Sequence, residues 1–194
     1  MKEKKITSEA CIHHLWFSKE DYAKKGAIIK WNPAVKDASD RDEIWKAVLD
    51  NRIDVIATDH APHTLEEKSQ KYLKSPSGGP LVQHALVAML DKYHEGKISL
   101  EKIAEKMSHA VADCFQIKDR GYIKEGYFAD AVLVSLENPW SVNRQNVLSK
   151  CGWSPFEGHT FRSSVLTTFV SGHPAYDRGV FDESQNGMRL TFDR

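Results

Sequence analysis

Apolar and polar positions fall into blocks of different period along the first third of the chain. The opening run "KKITSEACIHHLWF" is β-prone through Cys11–His14. A second extended piece is predicted in "GAIIKWNPAV", halted at Pro33 because a residue before proline is pushed out of the helical region. The period then becomes helical. Ser39 with Asp42 three residues on resembles a capping box, and Ile44, Trp45, Val48 and Leu49 recur at helical spacing up to Asn51. The next run, 53–57, is apolar without alternation, the pattern of a strand buried on both faces in a parallel sheet. A strand following a helix in this order predicts a βα-type barrel or a doubly wound sheet.

From 64 to 80 the chain is polar and ends in "SPSGGP", which predicts a long loop over a site. Two helices are predicted next. "PLVQHALVAMLDKYHEG" begins at Pro80 and closes at Gly96, and "SLEKIAEKMSHAVADCFQI" takes Ser99 as its N-cap. Beyond Gly121 the texture is that of short strands and turns: "GYIKEGYFADAVLVSL", "VLTTFVSGHPAYDRGVF" and "MRLTF". The expected division is therefore 1–120 as the α/β part and 121–194 as a β-rich subdomain, with Trp153, Phe156 and Phe161 filling the core of the latter.

Composition narrows the function classes. Lys plus Arg equals Asp plus Glu at 27 each over 194 residues, so the basic excess of a nucleic-acid or anionic-membrane binder is missing. No apolar run approaches membrane-spanning length, and the charged opening "MKEKKITSEA" has no apolar stretch behind it. Cys11, Cys114 and Cys151 are far apart, odd in number and without CxxC spacing; they read as buried thiols in a reducing cytoplasm.

Candidate chemistry gathers at the end of the 53–57 strand. Asp59 follows the apolar run in "DVIATDHAPH", with His60 and His63 on the same turn and Pro62 restricting the backbone between them. In α/β barrels the C-terminal strand ends carry the chemistry. An acid there can bind Zn²⁺ through one oxygen and exchange a proton through the other. The alternative is that Asp59 caps the next turn and both histidines are solvated.

"TDHAPH" (58–63) resembles the strand-8 signature of the dihydroorotases, cyclic amidohydrolases of the amidohydrolase superfamily. "TSEACIHHL" followed by "KWNPAVK" is similar to that family's "TAEVTPHHL" and "NPPLR" segments in the same order, and "GYIKEGYFADAVLV" to its tail signature. The resemblance implies an α/β fold: the C-terminal part of a (β/α)8 barrel, about strands 7–8 with the following helices, plus a small C-terminal β-sandwich subdomain. It implies reversible interconversion of dihydroorotate and N-carbamoyl-L-aspartate in pyrimidine biosynthesis, by hydroxide held at a binuclear zinc centre. Asp59 would be both zinc ligand and general base. Asn32 would contact the pyrimidine edge, whose alternating donors and acceptors suit an amide, and His63 would help hold the substrate carboxylate. Ser77 and Gly78 fall where the family's loop closes on the substrate through its backbone; the family commonly has an aromatic before that glycine, so Ser77 departs from the pattern. Lys36 stands where "NPPLR" has arginine, which keeps charge without the fork geometry. The paired histidines of the family's segment are not ligands, so His13 and His14 are expected to be structural. His84, His94 and His109 read as ordinary helix residues, and His159 and His173 as histidines without a partner.

A binuclear site of this kind also needs a His-x-His pair, a bridging carboxylate or modified lysine, and two single histidines. The nine histidines contain no His-x-His. The expectation is a C-terminal portion of a dihydroorotase, inactive alone and compatible with a homo-oligomer. The alternatives are a non-catalytic interaction module using an open strand edge, or a hydantoinase- or allantoinase-type relative.

Overall fold

A computed structural model describes residues 4 and 6–193; most of the charged opening (1–3 and 5) and the last residue lie outside it. In chain order, β1 (Glu9–Cys11) runs straight into α1 (Ile12–Trp16), followed by α2 (Tyr22–Lys25), α3 (Ala38–Leu49) and β2 (Val55–Ala57). Next come α4 (Leu65–Lys68), α5 (Ala85–His94), α6 (Leu100–Ala104) and α7 (Ala110–Phe115), with a π-turn at Glu105–His109 joining the last two. Strands β3 (Ala131–Ser135), β4 (Trp140–Ser141), β5 (Thr160–Phe161), β6 (Ser164–Val170), β7 (His173–Asp177) and β8 (Val180–Phe181) follow.

β1 and β2 pair in parallel, with Glu9 opposite Val55 and Cys11 opposite Ala57. Val55 and Ile56 are both buried, as expected for an apolar run without alternation. Just ahead of them Asp54 is also buried. Burial would raise its carboxyl, but the Lys4 ammonium at 2.8 Å and the Ser8 N–H at 3.0 Å hold it below the ordinary carboxylate range. α3 links the two strands and docks through Trp45, whose indole N–H donates to Leu15 O at 2.9 Å.

Several local expectations shift. The α3 capping box is Asp37 with Asp40, two residues ahead of the predicted pair, so Ser39 lies inside the first turn. "HH" belongs to α1, because the strand ends at Cys11. "GAII" is a 3-10 turn, Gly26–Ile29, that buries Ile29 and returns the Lys30 N–H to Ala27 O. "MRLTF" forms no strand and contributes a single antiparallel bridge, Phe192 with Ile117. The three cysteines are partly exposed rather than buried, and all are free thiols. The predicted caps of the later helices are present: Ser99 Oγ accepts from Lys102 N–H at 3.2 Å, and Gly96 after α5 has φ 73°.

The tail builds one antiparallel sheet in the order β3-β6-β7-β8 and a separate β4–β5 pair. Both tight hairpins have two central residues at positive φ, Ser171–Gly172 (52° and 86°) and Arg178–Gly179 (45° and 94°), the primed-turn geometry that suits strand twist. One apolar cluster joins Ile12, Leu15, Phe17, Ile29, Val48, Leu81 and Met89 to Val142, Phe156 and Phe161. The tail's aromatics therefore fill the junction with the α/β part instead of a core of their own. Phe156 sits edge-on to Trp16 at 5.2 Å, and each such buried ring contributes about 1.5–3 kcal/mol. Among the described residues no helix is long and apolar enough to cross a membrane.

Candidate active site

Asp59 lies two residues beyond β2, with φ 47°, a left-handed conformation that asparagine and aspartate tolerate better than other side chains. Asp59 is exposed and, among the described residues, its carboxylate takes part in no hydrogen bond or ion pair. It caps nothing. The capping belongs to His60, whose Nδ1 accepts from the N–H groups of Leu81 and Val82 at 3.1 and 3.2 Å, at the approach to α5. With Nδ1 accepting, the neutral ring carries its proton on Nε2.

His63 is fixed from both ends. Its Nε2 lies 3.0 Å from Ser77 O and so donates to it, and its own carbonyl accepts from Trp153 Nε1 at 2.7 Å. Nδ1 faces Glu67 Oε2 at 3.8 Å. An anion can thus accept a hydrogen bond from His63 only at Nδ1, where that nitrogen carries a hydrogen, or by displacing Ser77 O. Gly78 is bound to the same turn by shape. With φ 125°, an added Cβ would lie 2.5 Å from Ala61 O and 3.3 Å from His63 Cδ2. Its N–H already donates to Lys30 O at 2.9 Å. Ser77 N–H keeps no internal partner among the described residues, so on this turn the backbone donor left for a ligand is that of Ser77 rather than Gly78.

Asn32 is exposed on the adjoining segment, with its side-chain amide unbonded among the described residues and a cis peptide joining it to Pro33. Lys36 is exposed, and its ammonium has no partner among them. The structure therefore brings His63, Ser77 and Gly78 into direct contact. Lys30, two residues before Asn32, ties that segment to the loop, and no bond joins Asp59 or the Asn32 side chain to the rest.

His13 is buried and stacked on Trp31 at 4.4 Å with its plane tilted 10°, while His14 Nε2 bonds Pro33 O at 2.9 Å. Both serve to hold the Trp31–Pro33 segment. Burial first, and then the neighbouring His14, push His13 down to about 3, so it is neutral at physiological pH. Cys11, His13 and His14 place ligand atoms within 4.8 Å of one another. The Cys11 thiol is pushed up to about 11, by burial first and then by the charges of Asp59 and Glu9, which disfavours the thiolate a metal needs. For zinc the fit is that of one donor: the Asp59 carboxylate has free oxygens, but the three or four ligands of a zinc site are not assembled on it.

His94, at the end of α5, and His109, in the π-turn, stand in helical positions as expected, whereas three other histidines differ from expectation. His159 has a partner, Asp91 at 2.8 Å, and His173 bonds Asp182 O at 3.1 Å. His84 is buried in the turn before α5, close to the rings of Trp140, Phe156 and Phe161, with Ser154 Oγ 3.2 Å from Nδ1. Sequence reasoning missed Lys30 and Lys68, whose ammonium groups bind backbone carbonyls of the 69–79 loop. A lysine in a polar run carries no mark that separates it from a solvated one. The polar segment also hides α4, begun by a Thr64–Glu67 capping box. A cavity of about 1260 Å³ lies between the start of α5 and the four-stranded sheet, and Asp59, Asn32, His63 and Gly78 do not line it.

Comparison with known proteins gives the family. The amidohydrolase family model matches residues 6–175. Dihydroorotases of Halobacterium salinarum and Pyrococcus abyssi are 38% and 35% identical over 171 and 167 residues, 88% and 86% of this chain. The chain spans about 40% of the length of these curated relatives. Among solved structures, L-hydantoinase from Arthrobacter aurescens aligns with TM-score 0.88 at 24% identity, over 93% of this chain and 41% of that one. A D-hydantoinase aligns with TM-score 0.83 at 24% identity, over 90% and 40%. At such identities the likeness concerns the fold, here mixed α/β. Matched by the family model over most of its length, and by dihydroorotases over nearly as much, the chain belongs to the amidohydrolase family.

Proposed function

We propose that the chain carries part of a dihydroorotase active site, catalysing the reversible ring opening of dihydroorotate to N-carbamoyl-L-aspartate in pyrimidine biosynthesis. The observation that carries this reading is the disposition of 59–63. His60 and His63 are tied down by the backbone around them, while the Asp59 carboxylate between β2 and the loop has no partner among the described residues. Asp59 acts as general base towards the attacking water and returns the proton to the departing ring nitrogen. Asn32 reads the ring's amide edge. His63 and the Ser77 N–H meet the substrate carboxylate, and Gly78 lets the loop approach because no side chain fits there. Zinc bound in part by Asp59 would supply Lewis acidity at the amide carbonyl.

In this reading 1–120 is the C-terminal part of a (β/α)8 barrel and 121–194 belongs to a small β-sandwich beside it. The protein works in the cytoplasm, in keeping with three unbridged cysteines. A non-catalytic module docking through the β1–β2 pair is the second reading, favoured by the outer edges that this pair leaves open among the described strands. The test is an assay of the complete gene product with zinc on dihydroorotate, N-carbamoyl-L-aspartate, hydantoin and allantoin. Turnover of the first two supports the proposal. Preference for hydantoin or allantoin, or no turnover of any, overturns it.

A further inference from the structure

Lys68 ends α4 and is 1% exposed. Its Nζ lies 3.3 Å from Lys30 O, 3.0 Å from Pro76 O and 2.9 Å from Gly78 O. An ammonium has three protons, and here each has a carbonyl to meet. Among the described residues no carboxylate pairs with it. The Lys30 charge acts on it, and the Lys30 Nζ donates to Tyr72 O and Ser75 O at 2.8 and 2.7 Å. Burying a cation without a counter-ion is costly, and a solvated lysine in this polar segment would avoid that cost. What the burial achieves is order in a stretch with no sheet or helix after α4: two lysines gather five carbonyls between Lys30 and Gly78.

We infer that Lys68 is a positioning residue of the substrate loop, its ammonium gripping the carbonyls on either side of Ser77 and holding the Ser77–Gly78 turn against His63. The inference rests on the proposed function, in which that turn meets the substrate carboxylate. Lys30 O is shared by the grip and the turn, because it accepts from both Lys68 Nζ and Gly78 N–H. The same carbonyl fixes the loop to the segment bearing Asn32. Burial, and then the Lys30 charge, push the Lys68 ammonium down to about 8, which leaves it protonated at neutral pH. Shape matters as well as charge. A planar guanidinium cannot present three donors to three converging carbonyls from one point, so arginine does not substitute.

The test compares the wild type with Lys68→Met and Lys68→Arg in the complete gene product, by amide hydrogen exchange and by steady-state kinetics with dihydroorotate. Both variants are expected to speed exchange at Gly78 and through 69–79 by about tenfold or more while α3 and α5 keep their protection. KM should rise about tenfold with kcat and its pH profile nearly unchanged, the pattern of lost ground-state binding rather than general damage. If Lys68→Met does not fold, Lys68→Gln takes its place. Unchanged exchange at Gly78, an unchanged KM, or full rescue by arginine overturns the role of Lys68 while a normally active wild type leaves the function standing. An inactive wild type sinks the function and takes the substrate role of Lys68 with it.

Discussion

Asp59 is the residue on which the proposed chemistry turns, and its structure makes a sharp prediction. Among the described residues its carboxylate makes no hydrogen bond or ion pair, so Asp59→Asn should leave thermal stability within about 0.5 kcal/mol of the wild type. Ring opening by the complete gene product should nevertheless fall to near background, and near-normal turnover would remove Asp59 from its role. His84 gives the opposite case, a histidine with no place in the reaction but a measurable part in stability. Burial pushes it down to about 4, against 6.5 when unfolded. The folded state thus favours the neutral ring, and the associated stability is present above pH 6.5 and is lost as pH falls towards 4. The size is at most about 3 kcal/mol. Chemical denaturation at pH 7 and pH 4.5 should show this loss, and His84→Asn should remove about half of the drop, leaving the comparable part due to His13, which burial pushes down further, to about 3. The role of His84 was not legible in the sequence. His84 and His109 look alike as letters, and the difference between them is the packing of Trp140, Phe156 and Phe161, which are 56 or more residues away.

At the scale of elements, what the sequence shows depends on how local the cause is. The 53–57 run, the Ser99 cap and the Gly96 terminus were readable because period and capping are set within a few residues. "GAII" misled because its isoleucines satisfy a β pattern equally well, and tertiary burial of Ile29 chose the 3-10 turn. The tail's aromatics were correctly placed inside, but against the wrong partner, since nothing local says that Phe156 meets Trp16 and Phe17. α4 was lost in the polar loop, and it matters because it carries Lys68. Thr64→Ala should remove the cap that Thr64 Oγ1 makes to Glu67 N–H at 3.2 Å, costing about 1 kcal/mol locally and raising exchange in 65–68. Gly78→Ala should act more strongly on the same loop, because at φ 125° a Cβ would strike Ala61 O at 2.5 Å. The expected cost is about 1–3 kcal/mol, with KM raised and α5 unperturbed. An alanine variant with wild-type loop protection would mean that the turn can open at no cost, and would remove shape as the reason for glycine there.

For the whole molecule the limiting fact is ligand supply. A catalytic zinc takes three protein ligands and an open position, whereas the proposed site brings one free carboxylate. The Cys11–His13–His14 group is the alternative source of donors among the described residues. Its thiol is held protonated, His13 is locked in a stack with Trp31, and His14 is spent on Pro33 O. Nor do two parallel strands enclose a pocket, for barrel closure requires strand number and shear to match. The 194 residues alone should therefore show no dihydroorotate hydrolysis with added zinc above a metal-free control. Equilibrium dialysis should find no tightly held zinc ion on them either, and the two measurements separate the causes. Tight zinc without turnover would point to the cysteine–histidine group as a site of its own. Turnover above the control would mean that the missing ligands come from elsewhere, and a rate rising with the square of chain concentration would identify a second copy as their source.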